Sequence, residues 1–89
     1  MKPTTKAKSK DFLIARQQAY QQTFNQENVF VKKVLEDLSK FCRENRTTFD
    51  PDPRIHAVLE GRREVLLRIQ THLKLSPQEL LEVYGLNDL

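Results

Sequence analysis

The chain has 89 residues, with 15 lysines and arginines against 12 aspartates and glutamates, a hydrophobic fraction of 38% and no tryptophan. This length fits one domain with a modest core, because so short a chain buries only about 60% of the surface that it exposes when unfolded. No apolar run approaches the roughly 20 residues needed to cross a bilayer, no segment resembles a secretory signal, and the single cysteine cannot form an internal disulfide, so we expect an intracellular protein without membrane contact.

The positive charge is concentrated in residues 1–10. This segment has no acidic residue and contains four lysines: Lys2, Lys6, Lys8 and Lys10. The remaining residues carry 11 basic and 12 acidic groups. Without aromatic side chains it cannot bury enough surface to fold alone. We predict a flexible basic arm over residues 1–10 and a single helical domain over residues 11–89. The lysines either remain solvated or contact nucleic-acid phosphates or an acidic surface without reading sequence.

Two helices are predicted in the first half of the chain, over residues 9–23 and 26–44. The first begins at a plausible N-cap, Ser9, and is weakly amphipathic, because Arg16 and several glutamines, including Gln17, interrupt its apolar side. The second has the clearest helical period, carried by Phe30, Val34, Leu38 and Phe41, with Val31, Leu35 and Cys42 alongside. We therefore predict that the second helix is a core helix with one solvated side.

Two more helices are predicted in the second half, over residues 53–74 and 77–84. Asp52-Pro53 is a favourable start for the third helix, and Ser76-Pro77-Gln78-Glu79 has the pattern of a capping box at the start of the fourth. Gly85 suits the left-handed position that ends a helix. The apolar flank of the third helix contains Ile55, Val58, Leu59, Val65, Leu66, Ile69 and Leu73. The predicted fold class is all-α, a small bundle of three to four helices with a basic N-terminal arm.

The candidate chemical sites have simpler structural explanations. The aspartates within residues 50–52 lack the further ligands and the glycine of a calcium loop, and helix capping explains them. His56 and Glu60 stand one turn apart, but neither His72 nor Cys42 has a diagnostic metal-ligand spacing from them. Cys42 lies beside the apolar stripe, where a small buried thiol is more common than a nucleophile. We predict no metal site, no cofactor and no enzymatic activity.

The third and fourth helices together have the outline of a helix–turn–helix. A recognition helix presents basic and amide side chains to the major groove. The fourth helix offers Gln78, Glu79 and Glu82 and has no lysine or arginine. An ordinary helical hairpin is therefore the favoured interpretation.

A glycine inside the third helix, Gly61, costs about 1 kcal/mol relative to alanine. Either a neighbouring helix approaches closely at Gly61, which is the interpretation that we favour, or a partner docks there with Arg62 and Arg63 as charged anchors. The candidate partner-binding residues are Glu60, Gly61, Arg62 and Arg63.

Several short motifs lie between Phe30 and Leu73. They are Phe41-Cys42, Thr48-Phe49, Asp52, and Glu60-Gly61-Arg62-Arg63 followed by Val65, Ile69 and Leu73. Together they resemble a family of small tailed-bacteriophage (podovirus) proteins typified by a Bordetella phage protein; the basic arm and the last helix lie outside the resemblance. It implies a phage protein encoded near virion-assembly genes, such as those for portal and capsid, with no assigned catalytic residues.

The residues and the resemblance together predict a non-enzymatic accessory protein of the virion or its assembly, located in the virion, the host bacterial cytoplasm or both. The expected partner is a larger phage structural protein, a portal, head–tail, internal head or capsid component, with self-association and non-specific DNA contact as further expectations. Two alternatives stay open: a nucleic-acid-binding regulator that uses the C-terminal hairpin, and a phage inhibitor of a host protein.

Overall fold

A computed structural model describes residues 5–85, with side chains from Lys8 onward. It has four α-helices: α1 Thr5–Thr23, α2 Val29–Phe41, α3 Pro53–Lys74 and α4 Pro77–Val83. No strand occurs among residues 5–85, and the predicted all-α fold class with three to four helices is confirmed. None of the helices in this part of the chain is both long enough and apolar enough to cross a membrane.

Helix α1 begins earlier than predicted. Its first residue is Thr5 rather than Ser9, so Ser9 lies inside the helix and does not cap it. The lysine-rich segment over residues 1–10 therefore overlaps the first turns of α1. The end of α1, at Thr23, is where the sequence predicts it.

Helix α2 is shorter than the predicted range of residues 26–44 at both ends. It begins at Val29, because the Asn28 side chain accepts a hydrogen bond from the Phe30 amide at 2.8 Å and so caps the helix. It ends at Phe41, because Arg43 adopts a left-handed backbone conformation with φ 55°.

Helices α3 and α4 begin where predicted. Asp52 caps α3 through a hydrogen bond from the Arg54 amide at 2.8 Å. The capping box of α4 is present, because Ser76 and Glu79 each donate a backbone amide to the other's side chain at 3.1 Å. Helix α4 ends one residue before the predicted end, and Gly85 has the expected left-handed backbone with φ 70°.

The described residues form two compact units, and the first contains the residues up to Phe24 and from Thr71 onward. In this unit α1 packs against α4 through a small core made of Leu13, Leu80 and Leu81, with Ile14 and Leu75 against it. The buried Gln17 amide donates hydrogen bonds to the carbonyl oxygens of Leu75 at 2.7 Å and of His72 at 3.3 Å. Gln17 therefore satisfies carbonyl groups that the end of a helix leaves without partners.

The same unit contains an aromatic cluster around His72, which is fully buried. Its ring stacks on Tyr20 with centroids 4.3 Å apart, and its Nε2 accepts a hydrogen bond from Arg16 Nε at 3.1 Å. The Arg16 guanidinium lies 5.2 Å from the centroid of the Tyr84 ring. Local periodicity did not predict this cluster, because Arg16 and His72 are 56 positions apart.

The second unit contains residues Asn25–Gln70. The prediction that α2 is a core helix is wrong: α2 has no buried residue, and Phe30, Val34 and Phe41 are 71%, 53% and 56% exposed. Three members of the predicted apolar flank of α3 are exposed as well: Ile55, Val58 and Val65. The buried residues of this unit are Cys42, Thr48, Leu59, Leu66 and Ile69. The unit thus keeps only part of its apolar side chains away from solvent.

Candidate partner-binding faces of α2 and α3

The segment between α2 and α3 covers one side of α3. Thr48 is buried; its hydroxyl donates a hydrogen bond to the Glu60 carboxylate, and its carbonyl oxygen lies 2.9 Å from His56 Nδ1. Farther along α3, the Gln70 amide donates a hydrogen bond to the Glu44 carboxylate at 2.7 Å. These contacts determine which sides of α3 remain exposed. Among the described residues, no group of three His, Cys, Asp or Glu side chains is placed to hold a metal ion.

The four candidate partner-binding residues of α3 do not form one surface, because successive helical residues point about 100° apart. Glu60 is engaged by the segment that precedes α3. Arg62 is exposed, and its guanidinium lies 4.5 Å from the centroid of the Phe41 ring on α2. Arg63 is half-buried and points to another side of the helix. The candidate residues therefore belong to different environments.

Gly61 lies on an open side of α3. A Cβ atom added at Gly61 would meet no heavy atom of the described residues within 4 Å, so the interpretation that a neighbouring helix approaches closely at Gly61 is wrong. The open side continues at intervals of three and four residues, which keep side chains on one side of a helix. It consists of five exposed residues: Arg54, Ala57, Gly61, Glu64 and Arg68. We call this surface the Gly61 face.

A second exposed surface joins α2 and α3. It consists of one row of residues on α2, spaced four, three and four positions apart, and one row on α3, spaced three, four and three positions apart. With these spacings, each row lies on one side of its helix. The contact of Arg62 with Phe41 connects the two rows. We call this surface the apolar face; its members, all exposed, are Phe30, Val34, Asp37 and Phe41 on α2 and Ile55, Val58, Arg62 and Val65 on α3.

The sequence reasoning missed the apolar face, although α2 contains a signal for it. Beside the α2 row of the apolar face runs a second row with the same spacing, which is half-buried to buried: Val31, Leu35, Leu38 and, at the C-cap, Cys42. One helix side about 100° wide is enough to reach a core. Two adjacent rows therefore indicate that α2 has an apolar side wider than its own unit covers.

The four lysines at the start of the chain are only partly described. Lys2 lies outside the described residues, and Lys6 is in α1 without a described side chain. Lys8 is exposed and Lys10 is half-buried. Their contact with DNA or an acidic surface stays a prediction.

Helix α4 exposes Gln78, Glu79 and Glu82, while its two leucines are buried. Hydrogen bonds from the backbone and the side chain of Ser76 hold the pKa of the Glu79 carboxyl below its usual value. The carboxylates on this short helix would repel phosphate groups, so α4 gives no support to a helix–turn–helix that reads DNA.

Comparison with protein families found a match that covers most of the chain. A family model described as Bbp19-like phage protein matches residues 20–83. This range extends beyond the motifs between Phe30 and Leu73, so α4, which the motif resemblance left outside, lies within the match. A search of curated proteins and a search of solved structures each found no match.

Proposed function

The chain belongs to the Bbp19-like phage protein family, and from this we propose that it is a non-enzymatic accessory protein of the phage virion or of its assembly. It docks α3 onto a larger phage structural protein, such as a portal, head–tail, capsid or internal head component. The protein acts in the virion, in the host cytoplasm during assembly, or in both.

The observation that carries this proposal is the open space at Gly61. A glycine inside an exposed helix is about 1 kcal/mol less favourable than alanine, yet no described part of the chain packs into the space that the missing side chain leaves. The backbone of a partner can approach α3 closely there. Arg54, at one end of the Gly61 face, supplies positive charge for acidic groups of the partner.

The other candidate residues have supporting roles in this proposal. Glu60 holds α3 against the preceding segment through Thr48, and Arg63, about 200° around α3 from Gly61, supports the helix from its other side. The lysines Lys2, Lys6, Lys8 and Lys10 add attraction to DNA or to an acidic surface without reading sequence. Such attraction weakens steeply as the salt concentration rises.

The test uses a phage that lacks this gene and is complemented with the wild-type protein or a variant. Gly61→Leu places a bulky side chain at the proposed contact, and Ala15→Leu adds similar bulk at an exposed position of α1 as the matched control. Quantitative mass spectrometry of purified virions measures each protein relative to the portal and major capsid proteins. We expect wild type and A15L at one fixed ratio, and G61L reduced about tenfold or more at an equal level in the lysate.

Each other outcome has a definite meaning. Incorporation of G61L at the wild-type ratio would exclude the Gly61 face as the contact. Absence of the wild-type protein from virions would reject a virion component and leave an assembly factor or one of the two alternatives. Saturable binding to duplex DNA that survives deletion of residues 1–10 would then indicate the nucleic-acid-binding regulator, and recovery of a host enzyme from infected cells would indicate the host inhibitor.

A further inference from the structure

We propose that the apolar face binds a second copy of the same chain, related by a two-fold axis. This surface is distinct from the Gly61 face, whose centre lies about 100° away around α3. The proposal therefore goes beyond the docking of α3 onto a phage structural protein and does not depend on it.

The area of the apolar face suits a dimer. Its six apolar members are between 48% and 71% exposed. Because each of these side chains has a total surface of about 150–200 Å², together they expose roughly 600 Å². A standard protein interface buries about 800 Å² on each partner. The exposed parts of Asp37 and Arg62 increase the total area of the face beyond that of its apolar members.

The number of exposed hydrophobic residues in this unit, compared with the number that are buried, also indicates that another surface covers them. Within Asn25–Gln70, nine large hydrophobic residues are exposed and four hydrophobic residues are buried. Single exposed hydrophobic residues are normal on a protein surface. A connected patch of roughly 600 Å² is at the upper end of what monomeric proteins expose, and such patches commonly mark interaction sites.

The two charges on the apolar face identify the occupant as a second copy. A two-fold interface brings a surface against itself, so each group must find its complement on the same surface. Asp37 lies between Val34 and Phe41 on one row, and Arg62 lies between Val58 and Val65 on the other. Among the described residues, neither charge has an ion-pair partner within 4 Å.

The same charges select one arrangement of the two copies. When α2 of one copy lies on α3 of the other, Asp37 meets Arg62 of the second copy, and symmetry makes this pair twice. When α2 lies on α2, the row opposite Asp37 contains no base, and a parallel pair sets Asp37 against Asp37, where like charges are repulsive. We therefore infer that α2 packs on α3 of the other copy, where Phe30 and Phe41 supply its largest apolar side chains.

A charge-swap experiment tests this dimer. Sedimentation equilibrium of the full chain measures the dimer Kd for wild type, Asp37→Arg, Arg62→Asp and the double variant. Lys32→Asp is the control, because Lys32 is an exposed residue of α2 about 140° around the helix from Asp37. We expect each single reversal at the face to raise Kd by about tenfold or more, and the double swap to recover most of this loss. K32D should dimerise like wild type. Circular dichroism checks that all variants keep wild-type helicity.

Several outcomes would overturn the proposal. A wild-type chain that stays monomeric at about 0.1 mM would reject the dimer, because an interface of this area normally gives a Kd in the micromolar range or below. Single reversals that weaken the dimer without recovery in the double variant would reject the packing of α2 on α3. A monomer whose apolar face is covered by another virion protein would show a different occupant. By contrast, a G61L variant that dimerises but fails to enter virions would support the proposal, because dimerisation would then be independent of the docking contact.

Discussion

Replacement of Gln17 tests whether a buried amide holds the first unit together. Gln17 is only 1% exposed, and its side chain serves two carbonyl oxygens at the end of α3 and just beyond it. Gln17→Met keeps the length and approximate volume of the side chain but removes both donors. Because a buried polar group that loses its partner costs about 1–3 kcal/mol, we expect a loss of about 2–4 kcal/mol in the free energy of unfolding.

Such a loss is large for a chain of this size, whose total stability is on the order of 5–10 kcal/mol. With a urea m-value near 1 kcal/mol per molar, the midpoint of unfolding followed by circular dichroism should fall by about 2 M or more. Gln18→Met is the matched control, because Gln18 is exposed, and it should change stability by less than about 0.5 kcal/mol. Equal midpoints for Q17M and Q18M would show that the two carbonyl groups do not need the amide, and would refute the reasoning.

Four further predictions have defined outcomes. Gly61→Ala should raise the unfolding free energy by about 1 kcal/mol in urea titrations, because the new methyl group enters open space on a helix. Ser76→Ala should cost about 1 kcal/mol through loss of the α4 cap. Because the pKa of Glu79 is lowered in the folded state, its ionised carboxylate stabilises the fold fully above its unfolded-state pKa. This stability is lost as the pH falls through the folded-state pKa. The thermal midpoint should therefore decrease in acid, and this decrease should be smaller in S76A. Cys42 is buried and should react with a thiol reagent only at the rate of local opening, which urea should accelerate.

The features that sequence predicted correctly are those that neighbouring residues decide. The caps at Asp52 and Ser76 and the left-handed Gly85 depend on groups within a few positions, and all three are present. The early end of α2 was missed because the left-handed residue is Arg43, a residue type that rarely adopts this conformation.

The features that sequence missed depend on distant parts of the chain. Gln17 counted as a polar interruption of an apolar side, but it is buried because carbonyl groups 55 and 58 positions away accept its hydrogen bonds. Glu60 was a candidate contact for a partner, but its carboxylate already accepts a hydrogen bond from Thr48. Periodicity has no access to either pairing. It finds the side of a helix that avoids water, but it does not find a polar group that another segment satisfies.

The exposed row of α2 shows a further limit of periodicity. The spacing of Phe30, Val34 and Phe41 predicts a side that is covered, and within one chain this prediction is wrong. A row that had no cover at all would lower solubility without any compensating gain. The apolar face has one acid and one base, each central in its own row, and this arrangement matches a second copy turned by a two-fold axis. In the proposed dimer, the exposed row of α2 packs against α3 of the second copy, so the cover comes from another chain and not from the helices of the same chain.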